Sequence, residues 1–275
     1  MSINSTIPLA QLADTAVHAA RAAGAILLQE LSNERRVEFK GAINLVTDAD
    51  RRSEAAIVSI VRARYPEHQI LAEEGSRSDG PSGYRWIIDP LDGTTNYAHR
   101  YPHFAVSIAV ELDGEIAVGA VYDPVRDELF SAQAGQGAFV NGKPLSVSKT
   151  AGLLHGLLCT GFPYDRDQFG PSLRRWDRFI RRAQAVRRDG SAALDICYVA
   201  AGRFDGFWEN HLQPWDAAAG LLVVREAGGT VSGFDGGVPD LYAGELVASN
   251  GLLHGDMLEV LAEVEREAVA GPASG

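Results

Sequence analysis

The chain has 275 residues, of which 46% are hydrophobic and 22% are charged. This is the composition of an ordinary globular protein, so a disordered, collagen-like or coiled-coil chain is excluded as a description of the whole. The formal net charge of -11 disfavours nucleic acid and anionic membranes as partners, because a negative surface repels both at long range.

The first half of the sequence predicts two helices followed by a series of short strands. Apolar residues recur every three or four positions over residues 9–31 and again over residues 50–65, where Pro66 ends the pattern. The β-prone runs predict strands at residues 69–72, 86–88, 104–112, 115–122, 127–132 and 137–140. The Asp-Gly dipeptide at 113–114 predicts a tight hairpin turn.

The second half alternates between helices and short strands. Helices are predicted at residues 174–185, 191–201, 214–227 and 252–268, and strands at residues 204–209, near 230 and at 246–249. Pro214 in a first turn and Gly228 just after a last turn mark the two ends of one of these helices. The order of elements predicts a layered α/β protein with two sheets and helices between them.

The cysteines and the N-terminus indicate a cytoplasmic protein. Cys159 and Cys197 both lie in apolar surroundings and are predicted to be buried free thiols, so neither a disulfide framework nor a structural zinc site is expected. The N-terminal segment has no uninterrupted signal-peptide core, and no apolar run is long enough to span a membrane.

The segment at residues 86–96 predicts a metal site. An apolar strand ends at Asp89, and Asp92 follows three residues later. Their carboxylates and the Leu91 carbonyl would converge on one small volume, as hard oxygen ligands that suit Mg²⁺. The N–H groups of Gly93 and Thr94, at the start of a helix, would face an anion. The alternative is a plain turn, because Asp-Pro and Asp-Gly are both turn dipeptides.

Three further motifs place acids at the ends of elements. Glu73 and Glu74 follow a predicted strand, and a solvated strand end is the more ordinary expectation for Glu74. Asp48 and Asp50 open the second helix, where capping is the expected role of Asp48. Asp216 opens the helix that begins at residue 214, and it could simply satisfy that helix N-terminus.

Together and in this order, the motifs resemble those of the inositol monophosphatase family of Mg²⁺-dependent, lithium-sensitive phosphatases, and of its bacterial members in particular. The resemblance is carried by NLVTDAD at 44–50, AEEG at 72–75, WIIDPLDGTTNY at 86–97, GSAA at 190–193 and PWDAAAG at 214–220. The departures are small. Tyr97 stands where the family usually has Phe, and the segment 41–44 looks one residue shorter than in animal members.

The resemblance implies a fold and an assembly. The fold would be an αβαβα sandwich, with an antiparallel N-terminal sheet and a smaller mixed C-terminal sheet. Residues 1–145 would form an N-terminal α+β half with most metal ligands, and residues 146–270 a C-terminal α/β half with Asp216 and the substrate contacts. Residues 271–275 would be a frayed tail. A homodimer is expected on the same basis.

The resemblance also implies a set of metal ligands. They are Glu73, Asp89, the carbonyl oxygen of Leu91, Asp92 and Asp216. Asp89 would bridge two ions. Glu73 and Leu91 would complete the first site, and Asp92 and Asp216 would complete the second. Two to three Mg²⁺ ions are implied, with Mn²⁺ as a substitute and with Ca²⁺ and Li⁺ as inhibitors.

Catalytic and substrate-binding roles follow from the same resemblance. Glu73, Thr94 and Asp50 would be catalytic, by orienting the water that attacks the phosphate. The backbone N–H groups of Gly93 and Thr94 would hold the phosphate. The implied substrate contacts are Gly93, Thr94, Gly190, Ser191, Ala192, Glu209 and Asp216. Lys40 would support the metal site from just outside its ligands.

Elementary electrostatics agrees with this set of roles. Several carboxylates in one cleft cannot all stay ionised unless cations neutralise them. Bound Mg²⁺ would do so and would let an acidic protein bind a phosphate dianion.

Other classes of phosphate or metal site fit less well. A haloacid-dehalogenase-type site needs two aspartates two residues apart, whereas Asp89 and Asp92 are three apart. A near-match to a P-loop at residues 137–144 has proline at the Ser/Thr position. No G-x-S-x-G string supports a serine hydrolase. His99 and His103 have a proline between them, so they are predicted to be loop histidines and not a helical zinc pair.

The predicted substrate is myo-inositol 1-phosphate or a related polyol or sugar phosphate, hydrolysed by metal-activated water. Alternatives on the same fold are fructose 1,6-bisphosphate, NADP, histidinol phosphate and adenosine 3′,5′-bisphosphate. Seven arginines between Arg174 and Arg188 could be a solvated helix face, a subunit contact or a second phosphate pocket, and a pocket would favour a bisphosphate or NADP. A regulatory or binding protein with a phosphatase fold is the non-enzymatic alternative.

Overall fold

The computed structural model describes residues 7–31, 37–39, 45–163 and 165–270, with backbone alone at 37–39, 45–47 and 268–270. The α-helices are α1 Leu9–Leu31, α2 Asp48–Arg64, α3 Thr94–Ala98, α4 Phe169–Ile180, α5 Ala192–Ala200, α6 Pro214–Glu226 and α7 His254–Ala270. The strands are β1 Val37–Phe39, β2 Leu45–Thr47, β3 Gln69–Ala72, β4 Arg77–Ser78, β5 Tyr84–Asp92, β6 Ala105–Leu112, β7 Glu115–Asp123, β8 Glu128–Gln133, β9 Ala138–Val140, β10 Lys143–Pro144, β11 Leu157–Thr160, β12 Ala185–Arg187, β13 Gly206–Glu209, β14 Thr230–Ser232 and β15 Leu246–Ser249.

The larger sheet has the strand order β10-β9-β8-β7-β6-β5-β3-β4. Neighbouring strands are antiparallel except for β3 and β5, which are parallel. The prediction of an antiparallel sheet is therefore wrong at this pair. Strand β4 pairs with β3 on the side away from β5. The chain then crosses β3 and enters β5, which runs in the same direction as β3.

The smaller sheet has the order β12-β11-β13-β15-β14. Strand β11 is parallel to both of its neighbours, whereas β15 is antiparallel to β13 and β14. The predicted mixed sheet is confirmed.

Alternation of side chains along the strands builds the layers. Trp86 and Ile88 on β5 belong to a core shared with α1 and α2, whereas Ile87 belongs to a second core that contains α5 and α6. That second core also contains Phe207 on the smaller sheet, so α5 and α6 lie between the two sheets. Phe179 on α4 packs with α7 against the outer face of the smaller sheet. The five layers form the predicted αβαβα sandwich.

The core around α5 and α6 contains residues from both halves of the chain, such as Ile87 and Phe207, and the division at residues 145 and 146 stays a prediction. The two cysteines are buried free thiols, as predicted.

At the predicted hairpin turn Asp113 and Gly114 have φ values of 51° and 91°, which suits a type I′ turn. Across the part of the chain that the structure describes, no helix combines the length and apolar character needed to cross a membrane.

One helix prediction is shifted along the chain. The helix expected at residues 174–185 is Phe169–Ile180, and residues 185–187 form strand β12 instead. Pro171 lies in the first turn, where its missing N–H costs nothing. The run of arginines extends the polar pattern beyond the true end of the helix. Strands β1, β2, β4, β10, β11 and β12 were not predicted.

Candidate active site

The end of strand β5 places two aspartates on one side of the chain. Asp89 pairs with Ser107 on β6, and Asp92 pairs with Ala105, so between these pairs two residues on β5 oppose one on β6. This is a β-bulge, which bends a strand and redirects its side chains. The Leu91 N–H donates to Asp89 Oδ1 at 2.9 Å. Gly93 ends the bulge with φ 91°.

The third aspartate arrives at the start of α6. Asp216 Oδ2 accepts the Gln213 N–H at 2.7 Å, and the Ser107 hydroxyl donates to the Trp215 carbonyl at 3.0 Å, which ties this helix start to β6. Carboxylate oxygens of Asp89, Asp92 and Asp216 then lie within 4.8 Å of one another. The sequence-predicted convergence of these acids is present.

Glu73 joins the group because β3 is the parallel neighbour of β5. Its N–H donates to the Ile88 carbonyl at 3.1 Å, and its side chain lines the same cleft as Asp89. Glu74 was expected to be solvated, but it is half-buried, and its N–H donates to Glu54 Oε2 at 2.7 Å. Helix α2 thus holds the strand end that presents Glu73.

The first turn of α2 contributes a buried acid. Asp50 is fully buried, and the Thr94 hydroxyl lies 3.2 Å from its Oδ1 and 3.1 Å from the Leu91 carbonyl. Asp48, expected to cap this helix, is its exposed first residue and lies 3.8 Å from Arg51. Lys40 lies outside the described residues.

The start of α5 holds Asp92 in place. Asp92 Oδ2 accepts the Ser191 hydroxyl and, at 2.9 Å, the Ala193 N–H. Ser191 therefore positions a cleft carboxylate in this structure, and its implied contact with substrate stays a prediction. Gly190 and Ala192 line the cleft beside it.

Asn96 is a site residue to which the sequence analysis assigned no role. Its amide donates to the His103 and Asp189 carbonyls, each at 2.8 Å, and so joins the turn after β5 to the loop before α5. The available signal was its place at the end of the recognised DGTTN string.

Glu209 closes the far side of the cleft from the end of β13. A Cβ atom at Gly161 would come within 2.1 Å of the Glu209 carboxylate, so any side chain there would displace this carboxylate from its observed position. Burial, followed by the charges of Asp216 and Asp195, raises the pKa of Glu209 well above its usual value, and Arg188 opposes this.

The arginine stretch divides between two roles. Arg175 and Arg178 on α4, and Arg182 just after its end, form ion pairs of 2.6–2.7 Å with glutamates on α7. Arg188, which follows β12, instead lines the cleft. Among the described residues that line it, Arg188 is the one cationic side chain. The sequence analysis did not separate it from the others.

The acids of the cleft hold more negative charge than the protein itself can offset. Burial, followed by the charges of Glu73 and Asp92, raises the pKa of Asp89 well above its usual value. Burial also raises the pKa of Asp216 well above the usual value and that of Asp92 to about 6. A set of oxygen ligands with excess negative charge fits hard divalent cations.

Comparison with known sequences identifies the family. A sequence model described as "Inositol monophosphatase family" matches residues 9–269. The chain belongs to the inositol monophosphatase family.

Individual members of the inositol monophosphatase family match over most of their length. The "Inositol-1-monophosphatase" of Synechocystis sp. is 45% identical over 252 residues, which cover 90% of this chain and 88% of that protein. "Nus factor SuhB" of Escherichia coli K12 is 47% identical over 239 residues, covering 86% and 90%. The solved inositol monophosphatase of Anabaena has a TM-score of 0.84 at 42% identity, covering 93% and 96%. The predicted family, fold and phosphatase activity are confirmed.

Proposed function

We propose that this phosphatase hydrolyses myo-inositol 1-phosphate or a related polyol or sugar phosphate in a Mg²⁺-dependent reaction. The observation that carries the proposal is the approach of Asp89, Asp92 and Asp216 to within 4.8 Å of one another. The name of the Synechocystis relative supports inositol phosphate as the substrate. When bound, divalent ions offset the carboxylate charge and act as Lewis acids toward water and the phosphate ester.

The proposed ligands hold two to three Mg²⁺ ions. Asp89 interacts with all of the other proposed acidic ligands, because the charges of Glu73, Asp92 and Asp216 each raise its pKa. This central place fits the bridging role. Glu73 and the Leu91 carbonyl complete one side of the site.

The chain's own residues would orient the attacking water and the phosphate. The Thr94 hydroxyl donates within the protein, toward Asp50 or the Leu91 carbonyl, which leaves its oxygen free to accept a hydrogen bond from water. Glu73 would accept another proton of that water. The N–H groups of Gly93 and Thr94, which both line the cleft, would hold the phosphate.

The substrate alcohol would lie against Glu209, Gly190 and Ala192. All three line the cleft that contains the aspartates. An ionised Glu209 accepts hydrogen bonds from hydroxyl groups, which suits a polyol better than an apolar alcohol.

A phosphate-release panel tests the proposal. We expect inositol 1-phosphate to be hydrolysed with Mg²⁺, less well with Mn²⁺, and not after chelation, with Ca²⁺ and Li⁺ inhibiting. The other arms are fructose 1,6-bisphosphate, NADP, histidinol phosphate and adenosine 3′,5′-bisphosphate. A higher kcat/KM on any of these would contradict the substrate assignment. Full activity in chelator would contradict the metal dependence.

A regulatory role is the second candidate, and a specific observation favours it. A relative that is 47% identical carries the name "Nus factor SuhB", which is not the name of a hydrolase. If the protein binds a protein partner independently of catalysis, a variant without phosphate release, such as Asp89→Asn, should bind that partner with unchanged affinity. Loss of partner binding in step with catalysis would contradict an independent role.

A homodimer is also proposed. Light scattering of the purified protein in Mg²⁺ should give twice the chain mass of 29.5 kDa. A monomeric mass across the working concentration range would contradict it.

A further inference from the structure

A second cluster of ligand atoms lies beside the carboxylate cleft. It consists of one side-chain atom each from His103, Asp189 and Asp195, all within 4.8 Å of one another. His103 lies in the loop before β6, Asp189 in the loop between β12 and α5, and Asp195 on α5. His103 is 4% exposed and Asp195 is 1% exposed. The cluster therefore joins segments that are distant in sequence.

Two atoms of this cluster are buried without a hydrogen bond. His103 Nε2 and Asp195 Oδ1 have no hydrogen-bond partner within the described parts of the chain. They lie 3.5 Å apart, whereas a charge-assisted N–H···O bond spans roughly 2.7–2.9 Å. Zn–N and Zn–O bonds of about 2.0–2.2 Å at a tetrahedral angle place two ligand atoms roughly 3.3–3.6 Å apart. The observed distance fits two ligands of one ion.

The donor set differs from that of the neighbouring carboxylates. An imidazole nitrogen with two carboxylates suits Zn²⁺ better than Mg²⁺, which prefers oxygen alone. Water or a small anion could supply the fourth ligand of such an ion. Asp195 also lines the open cleft together with Gly190, which provides a route of entry for an ion.

We propose that His103, Asp189 and Asp195 form a second metal site, for Zn²⁺ or a similar borderline cation, separate from the proposed Mg²⁺ site. An ion there would tie the loop before β6 to α5. The start of α5 donates the Ser191 hydroxyl and the Ala193 N–H to Asp92, so the ion would also stiffen one wall of the active site. Binding of an ion at this second site does not depend on which phosphate ester the protein hydrolyses.

A zinc competition titration tests the proposal. Metal-stripped protein in saturating Mg²⁺, which occupies the carboxylate cleft, is titrated with Zn²⁺ against a chromophoric chelator. We expect one Zn²⁺ bound per chain and a rise in Tm. In His103→Gln the affinity should fall by at least about 100-fold, beyond the roughly 10–100-fold that loss of a supporting partner costs. His99→Gln, which alters an exposed loop histidine four residues away, is the matched control and should bind like the wild type.

Two further measurements keep the result decisive. Asp89→Asn, which alters the proposed Mg²⁺ bridge, should keep its zinc affinity, so failure of the proposed function would not disturb this outcome. If His103→Gln does not fold, a zinc anomalous map of the wild type decides. A peak at His103 Nε2 supports the site. Equal zinc affinity in His103→Gln, or a peak confined to Asp89, Asp92 and Asp216, overturns it.

Discussion

Asp89 is a buried acid whose surroundings favour binding of an external cation. It is 2% exposed, and its carboxylate accepts the Leu91 N–H while facing three other acids. An isolated buried carboxylate would take up a proton to avoid the cost of desolvation. Because Asp89 is proposed to bridge two ions, loss of its charge should weaken the binding of both.

Asp89→Asn should therefore abolish phosphate release and weaken Mg²⁺ binding. An amide keeps the size of the side chain and removes the charge that holds the ions, so the Tm of the metal-free protein should not fall. Steady-state kinetics, Mg²⁺ titration and thermal melting check this. Near-normal turnover in the variant would reject the bridging role.

Glu209 is predicted to act on the substrate and not on the metals. Glu209→Gln should raise KM for inositol 1-phosphate by about 10-fold, since one charged hydrogen bond contributes roughly 1.5 kcal/mol or more, and should leave Mg²⁺ affinity unchanged. Glu67→Gln, at an exposed position, is the control for loss of one charge. Unaltered selectivity across the phosphate panel would contradict the assignment.

At the scale of elements, α6 connects the active site to the larger sheet. Its backbone lies so close to β7 that a Cβ at Gly119 would come within 2.7 Å of the Ala219 carbonyl. The same helix carries Asp216 at its start. The position of Asp216, a proposed metal ligand, thus depends on a contact between a strand and a helix backbone.

Gly119→Val should destabilise the protein and reduce activity together. Overpacking a core costs typically 1–3 kcal/mol, and any shift of α6 moves Asp216 away from Asp89. Gly255→Ala, with no atom near the added Cβ, should leave both unchanged. Denaturant unfolding and kcat/KM are the measurements. A Gly119→Val protein with wild-type stability would show that the helix yields freely.

The comparison of predicted and observed elements shows where local patterns suffice. Helix α1 and the turn at Asp113 were predicted because periodicity and turn chemistry are local. The register of α4 was not, because a long arginine run keeps a polar pattern past the end of the helix. Arg175 and Arg178 on this helix, and Arg182 just beyond it, bind glutamates on α7 that lie some 80–90 residues further along the chain. No local signal contains that pairing.

At the scale of the whole molecule, negative charge gathers in a cleft of an already acidic protein. The pKa of Asp92, raised by burial to about 6, exceeds the unfolded value of about 3.9. Between these values the folded protein binds more protons than the unfolded chain, so this contribution to stability is complete below about pH 4 and is lost as pH rises through about 6. Divalent ions should compensate, since they replace the protons.

The gain in Tm on adding Mg²⁺ should therefore be larger at about pH 7.5 than at about pH 5. Protons compete with the ion at the lower pH. Melting curves in chelator and in Mg²⁺ at both pH values measure the gain, and Asp92→Asn should reduce it at the higher pH. An equal gain at both pH values would contradict a carboxylate site for the ion.

Much of the site could be predicted because its acids occur in strings of recognisable order. Asp89, Asp92 and Thr94 lie within six residues, and Asp216 directly follows a helix-opening Pro-Trp pair. Asn96, Arg188 and the pairing of His103 with Asp195 were not predicted as parts of the site. Each of them acts through a partner from another segment, which no single string contains.

The main helices, most of the longer strands and the family could be predicted from the sequence by itself, because helical periodicity, strand patterning and short motifs are local signals. The acidic ligand set stays a prediction that rests on the family resemblance. The approach of β5, α6 and β3 around one cleft, the parallel β3–β5 pair and the histidine–aspartate cluster were decided by the tertiary structure. They arise when two sheets enclose α5 and α6, because burial of apolar faces sets which distant segments meet.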